Sequence, residues 1–213
     1  MQRITETALE RALWGFFTRA EAGVWLDVST AALDALLKRA VQAGEILRIR
    51  RGLFCLDRRF TAAPPNPLAL AQLAYGPSYL SAETALGWHG WIPEAVQAIV
   101  STGLGRSREF ASPFGTYVFQ RVPQKSLMAG VQRIAEGPPH VSFLMARPLK
   151  ALADYVYTHH CDWHSAGPLR GSMRIEDDSL AGLSAADFDE LKDQYRSGRV
   201  RRFLAGLRRD LKL

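Results

Sequence analysis

The sequence predicts an α+β chain in two parts, a small N-terminal module followed by a larger mixed one. Three observations predict it. Between Ser29 and Leu56 the pattern of apolar residues changes at Gly44 from helical spacing to alternation. Pro64, Pro65 and Pro67 fall close together and can continue neither a helix nor a central strand. Beyond them, strand-like runs at 95–101, 115–122, 131–136 and 141–145 are interleaved with helical ones. A chain of 213 residues can hold one large or two small domains. The expected division is 1–60, a linker at 61–67, and 68–213.

Taken in order, Thr5 to Thr18 is expected to be helical. Leu9, Ala12, Leu13, Phe16 and Phe17 give an amphipathic face, and Glu6 and Glu10 suit the positive end of the helix dipole. Gly15 weakens this helix by about 1 kcal/mol relative to alanine. A short second helix is expected at 21–28, with Trp25 and Leu26 inward. Ser29 then caps a third helix, and Gly44 closes its last turn in a left-handed conformation. Leu33, Leu37, Ala40 and Val41 form its buried stripe. Thr30, Asp34, Ala35, Lys38, Arg39 and Gln42 stay on the other side. From Ile46 the chain reads as a hairpin with Arg50-Arg51-Gly52 near its turn.

Helix, helix, capped helix and basic ribbon, in that order, outline a winged helix-turn-helix. In such a module the capped helix enters the major groove and the ribbon lies on the flanking backbone. Lys38, Arg39, Arg48, Arg50 and Arg51 are then the expected cationic contacts, and arginines on phosphates set register, not sequence. Thr30, Ala31, Asp34 and Ala35 lie at the N-terminal end of the helix, where base edges are read. The plain alternative is a solvated face.

In the second part, Asn66 caps a helix over 68–75 with Pro67 at its first position. Another starts within 81–84 and ends at Gly87 or Gly90. The runs at 95–101, 115–122, 131–136 and 141–145 are strands, and 102–113 is a polar loop or hairpin connection. Leu149, Leu152, Ala153 and Val156 predict a helix over 146–157, and Ser184 caps one over 183–195. A basic terminal helix over 199–212 carries Phe203, Leu204, Leu207 and Leu211 on one face. The second part is therefore a mixed α/β domain with a small, mainly antiparallel sheet and a basic C-terminal helix.

A formal net charge of +6 favours a polyanionic partner. Arg48 to Arg59 carries five arginines against Asp57, and Leu191 to Leu213 carries eight basic residues against Asp193 and Asp210. Arg106, Arg108, Gln120, Arg121, Lys125 and Lys150 are candidates for a second basic surface, with ordinary surface charge as the alternative. Cys55 and Cys161 are no disulfide framework, and no run is of signal-peptide or membrane-spanning type. A cytoplasmic protein without a membrane partner is expected.

No catalytic constellation stands out. His159-His160-Cys161-Asp162-Trp163-His164 contains zinc-ligand types, but no second ligand group stands at a recognisable spacing, and a polar loop after a helix explains it. Glu176-Asp177-Asp178 could hold magnesium, and a solvated acidic loop or helix start is the plainer reading. His89 with Ser81 and Glu83 lacks a nucleophile elbow and reads as a packed histidine. Gly103-Leu104-Gly105-Arg106 lacks a third glycine. No catalytic residue, metal or cofactor is expected, and the chain is not expected to be an enzyme.

Several short words occur in a specific serial order. They are Tyr79-Leu80-Ser81-Ala82-Glu83-Thr84-Ala85-Leu86, Trp88-His89-Gly90-Trp91-Ile92-Pro93-Glu94-Ala95, Arg106-Ser107-Arg108-Glu109-Phe110, Pro113-Phe114-Gly115-Thr116-Tyr117, and 146–155 from Ala146-Arg147-Pro148 to Asp154-Tyr155. With Arg51-Gly52-Leu53-Phe54 before them, they make the chain resemble the AbiEi-type antitoxins of bacterial abortive-infection toxin-antitoxin systems. Leu149 stands where that family more often has glutamate, and 159–178 matches nothing in it. The resemblance implies a two-domain phage-defence regulator. Its winged helix would repress the operon at inverted repeats in double-stranded DNA, as a cooperative monomer or a homodimer. Its second domain would be an antitoxin domain counteracting a nucleotidyltransferase-like toxin encoded nearby, and the second basic surface would meet DNA, an RNA substrate of the toxin, or the toxin. The alternatives are a stand-alone regulator sensing a ligand in its second domain, and a metal-dependent nuclease centred on 159–178.

Overall fold

A computed structural model describes residues 1–12, 14–61, 65–93, 97–136 and 141–213. The chain is mixed α+β and divides into two compact units. The first is Met1–Ala74 with Ser112–Phe114 and Ala135–Ser142. The second is Tyr75–Ala111, Gly115–Ile134 and Phe143–Leu213. Part of the expected linker, 62–64, lies outside the described residues.

The first unit runs α1 (Arg3–Arg11), β1 (Phe16–Thr18), α2 (Arg19–Leu26), α3 (Thr30–Gln42), β2 (Ile46–Arg50), β3 (Leu53–Leu56), a single 3-10 turn at Arg58–Phe60, and α4 (Pro67–Ala74). Most boundaries have a local cause. Thr18 and Glu21 cap α2 reciprocally: the Thr18 hydroxyl accepts from the Glu21 amide at 3.1 Å, and the Glu21 carboxylate accepts from the Thr18 amide at 2.7 Å. The Ser29 hydroxyl accepts from the Ala32 amide at the start of α3. Beyond its end, Gly44 has φ +66°, which lets the Glu45 amide donate back to the Ala40 carbonyl at 3.0 Å. Asn66 Oδ1 caps α4, accepting from the Leu68 amide at 2.8 Å.

The helix expected over 5–18 ends at Arg11. Gly15 has φ +72°, incompatible with a continuing helix, and the chain then extends. Phe16, Phe17 and Thr18 pair antiparallel with Cys55, Phe54 and Leu53. Phe17 is buried there and stacks on Phe54 at 5.7 Å. The apolar residues that suggested a longer helix thus complete a three-stranded sheet, β1-β3-β2. Leu13 lies outside the described residues. The sheet covers a core built from Ile4, Ala8, Ala22, Leu26, Leu33, Leu37, Ala40, Ile46 and Leu56.

Gln2 gives α1 no side-chain cap. Glu45, in the turn between α3 and β2, supplies the acceptor instead. Its carboxylate takes hydrogen bonds from the Gln2 amide and the Thr5 hydroxyl, each at 2.7 Å, and lies 3.8 Å from the Met1 amino group.

The rest of the chain forms β4 (Ser78–Leu80), α5 (Ala82–Trp88), β5 (Ala98–Gly103), β6 (Arg108–Ser112), β7 (Gly115–Arg121), β8 (Val131–Glu136), β9 (Val141–Ala146), α6 (Pro148–Thr158), α7 (Gly167–Gly171), α8 (Asp177–Ala181), α9 (Ala185–Leu191) and α10 (Gly198–Asp210). Six strands make one sheet, in the order β6-β7-β5-β4-β9-β8. It is mixed, where a mainly antiparallel sheet was expected. β4 and β5 are antiparallel, but β5 is parallel to β7 and β4 to β9. The cause is topological: β6 with β7 and β8 with β9 each join the central pair through their second strand. β6 falls in the stretch read as a polar connection. It is an edge strand whose Arg108 and Glu109 are exposed, so it lacks the alternation of a half-buried strand. On α6, Leu149, Leu152, Ala153 and Val156 are buried as their spacing predicts. Among the described residues, no helix is long and apolar enough to cross a membrane.

The hydrogen bond from the Gln2 amide, then that from Thr5, holds the Glu45 carboxyl below its usual range. Its contribution to stability is therefore complete above the ordinary glutamate pKa of about 4.3 and is lost as the pH falls through the depressed folded value. Glu45→Gln is expected to lower the melting temperature near neutral pH and to flatten its fall on acidification, followed by circular dichroism from pH 7 to about pH 3. An unchanged acid transition would remove Glu45 from this role.

Candidate nucleic-acid interface

Helical spacing leaves α3 with one outer face. Leu33, Leu37 and Ala40 are buried, while Thr30, Ala31, Asp34, Ala35, Lys38 and Arg39 are exposed. Asp34 is committed. It accepts from Arg19 at the start of α2, Oδ1 from Nε at 2.7 Å and Oδ2 from Nη2 at 3.1 Å. This pairing holds the Asp34 carboxyl below its usual range and neutralises the acid of that face. It also ties α2 to α3 at the end where a base-reading helix would present its side chains.

The adjoining strand continues the charge. Along β2, Ile46 and Ile49 are buried while Arg48 and Arg50 are exposed, a spacing that departs from strict alternation. A register shift between Arg48 and Arg50 marks an irregularity in the β2–β3 ladder. Arg51 is exposed in the turn, where Gly52 has φ +78°. The Arg50 guanidinium donates to the Arg51 carbonyl at 3.1 Å. Among the described residues, no carboxylate pairs with Lys38, Arg39, Arg48, Arg50 or Arg51. The nearest acids in sequence, Asp34 and Glu45, are spent on Arg19 and on the start of α1. Cations without counter-ions on a helix face and the strand after it can neutralise successive phosphates.

The second group of basic residues does not behave as one set. Arg106, Arg108, Arg121 and Lys125 are exposed at the ends of β6 and β7. Lys150 is not on any surface. It is 0% exposed, as is Asp154 one turn later on α6. Lys150 Nζ lies 3.8 Å from Asp154 Oδ1 and donates to Gln124 Oε1. The Asp154 carboxylate accepts from the hydroxyls of Tyr79, Ser81 and Tyr195, each at 2.7 Å. The ammonium also sits over the Tyr195 ring, 4.6 Å from its centroid. Burial pulls the Lys150 ammonium down against the pull of Asp154, and burial followed by Asp154 pushes both tyrosine hydroxyls well up. Sequence reasoning missed this network because its members lie far apart in the chain. The one local signal was the i,i+4 spacing of Lys150 and Asp154 inside a helix of otherwise apolar residues.

The histidine cluster is dispersed among separate partners. His159 Nε2 lies 2.9 Å from Glu83, a pairing that holds the imidazole above its usual range. His160 meets Arg199 at 3.1 Å, and His164 lies 3.4 Å from Asp162. Among the described residues, no group of three or more histidine, cysteine, aspartate and glutamate side chains could hold a metal ion. The Ser81, Glu83 and His89 side chains also diverge: Ser81 serves Asp154, Glu83 serves His159, and His89 Nε2 meets the Ala146 carbonyl at 3.0 Å. Asp177 pairs with Arg170 at 2.6 Å in the acidic first turn of α8.

Removing one partner of a buried ion pair leaves the other uncompensated. Lys150→Ala is expected to cost about 3–5 kcal/mol in urea unfolding. A loss below about 1 kcal/mol would mean that Asp154 needs no cation, since that is the range of an exposed pair.

No curated protein matches the chain. Residues 5–56 match the model of a family described as transcriptional regulator, AbiEi antitoxin. The match takes in α1 to β3, with both elements that carry the unpaired cations, and stops before the words at 79–155. Over residues 5–56 the chain is therefore similar to AbiEi antitoxin-type transcriptional regulators.

Proposed function

We propose that residues 1–60 are a winged helix-turn-helix that binds double-stranded operator DNA, and that the chain represses its own toxin-antitoxin operon. In this reading α3 lies in the major groove, with Thr30, Ala31 and Ala35 at the base edges and Asp34, expected there too, held beside them by Arg19. Lys38 and Arg39 meet the groove walls. The β2–β3 hairpin is the wing, and Arg48, Arg50 and Arg51 hold phosphates beside the groove. Inverted repeats would be met by a homodimer or by cooperative monomers. Residues 68–213 are proposed to counteract a nucleotidyltransferase-type toxin encoded nearby, without enzymatic activity of their own, in the cytoplasm.

The observation that carries the reading is the set of uncompensated cations on the exposed face of α3 and on β2, inside the stretch that matches the regulator family. A phosphate contact needs a cation that no carboxylate already neutralises. The Arg19–Asp34 pair removes the acid that would repel phosphate from α3.

The test is a mobility-shift titration on the upstream region of the operon. Arg48→Ala with Arg51→Ala is expected to weaken binding by roughly tenfold or more across all sequences, and to reduce the salt slope by about two. Unchanged affinity and slope would take the wing off the DNA. The antitoxin half is tested by co-expression with the neighbouring gene, where continued growth arrest despite soluble protein would overturn it.

A further inference from the structure

We propose that residues 159–166 are a proton-operated strap: an imidazolium at His159 fastens the start of the strap to α5, and loss of that proton loosens the strap from α10. The strap begins where α6 ends. His160 has φ +56°, and the Cys161 amide donates back to the Val156 carbonyl at 3.1 Å, which turns the chain off the helix axis. The strap then runs over α10. Trp163 packs against Phe203 with centroids 6.4 Å apart, and Asp162 lies 3.5 Å from Arg202. The backbone at His164 passes so close to Gly206 that no larger residue fits there. The far end is held by the Ala166 amide, which donates to Asp210 Oδ2 at 2.9 Å.

At the near end, both ring nitrogens of His159 face acceptors. Nε2 lies 2.9 Å from Glu83 Oε1 on α5, and Nδ1 lies 3.2 Å from the Tyr155 carbonyl. The Thr158 hydroxyl is 3.3 Å from Nδ1, but its own proton goes to the carbonyls of Asp154 and Tyr155, at 3.0 and 3.2 Å. Towards the ring it too can only accept. A neutral imidazole has one N–H and serves one side, whereas the imidazolium donates on both. The ring stacks on Tyr155 at 4.0 Å, and Tyr155 stacks on Trp163 at 5.8 Å, so the fastening and the strap belong to one run of rings.

The carboxylate has its own need of that charge. Glu83 Oε2 is buried and, among the described residues, has no hydrogen-bond partner. A buried carboxylate oxygen without a donor is costly, and a cation on the neighbouring oxygen offsets it. The other titratable and charged groups close by do not replace the imidazolium. Arg199 on α10 meets His160 at 3.1 Å, and the Cys161 thiol, pushed up by burial, stays neutral. Burial pushes Glu83 up, but the bonds from His159 and from its own amide outweigh it, so the carboxylate is ionised while the ring is charged. The His159 ring is 37% exposed, so its proton exchanges with water while the unit stays folded. The bond to Glu83 holds the imidazole above its ordinary value of about 6.5. The fastening is therefore complete below that ordinary value and is lost as the pH rises through the raised folded one, the reverse of the Glu45 effect. None of this depends on the DNA-binding reading of the first unit.

The experiment follows the histidine rings and backbone amides of the full-length chain by NMR from about pH 5 to pH 9. One ring, identified by its loss in His159→Gln, is expected to titrate above about 6.5, and Glu83→Gln is expected to lower its titration. Across that titration the amides of 161–166, corrected for intrinsic exchange rates, are expected to lose protection while those of β4 and β5 keep theirs. The loss is about tenfold for each pH unit that separates the ring's values in the fastened and loosened states. In Glu83→Gln the strap is expected to be loose at every pH, whereas His160→Gln keeps the parent's profile. A His159 ring that titrates at or below its ordinary value, or protection of 161–166 that ignores the titration, would overturn the proposal. So would a Glu83→Gln chain with both unchanged, and the parent's own titration and protection decide should a variant fail to fold.

Discussion

The turn at Gly44 and Glu45 is the constraint on which the first unit depends. Gly44 follows α3 in a conformation that alanine would resist, and Glu45 turns its carboxylate to the Gln2 amide and the Thr5 hydroxyl at the start of α1. One residue therefore fixes the first helix, the end of the third and the start of β2. Its own backbone carbonyl also accepts from the Asp57 amide at 3.0 Å, just past β3. The direction in which the cationic strand leaves the cationic helix follows from this junction. Any account of how the module meets a polyanion rests on that geometry being held before the partner arrives.

Charge is organised by subtraction. Acids close to the basic stretch in sequence are all engaged: Asp34 by Arg19, Glu45 by the start of α1, and Asp57 by Arg59 at 2.6 Å. What remains on the outer face of α3 and on β2 is positive. In the second unit the logic is opposite. There Lys150 and Asp154 form an ion pair that is fully buried and closed by three hydroxyls, so its charges are turned inward and not towards a partner.

Where local physics decided the outcome, the sequence was legible. Ser29 and Gly44 bound α3 because capping and left-handed closure act within a few residues. The same holds for Asn66 before α4 and for Ser184 with Asp187 before α9. The helical reading failed at Phe16 and Phe17 because their partner strand lies far along the chain, and two adjacent aromatics fit either period. β6 was invisible because an exposed edge strand carries charges on both faces. Lys150 was read as surface because nothing within a few residues reveals Tyr79, Ser81 and Tyr195. The exposure of the six candidate contacts on α3 follows from helical spacing, whereas the irregularity of β2 at Arg48 and Arg50 and the commitment of Asp34 to Arg19 are tertiary and could not be read in advance.

The central claim is that α3 and the hairpin after it are one surface for duplex DNA. Backbone amide spectra of the full-length chain, recorded as operator duplex is added, test it most directly. The account predicts that the largest shifts cluster in 30–39 and 48–51, with α1 and the β1–β3 pairing undisturbed. Shifts confined to residues beyond 75, with 30–51 unmoved at saturation, would contradict it.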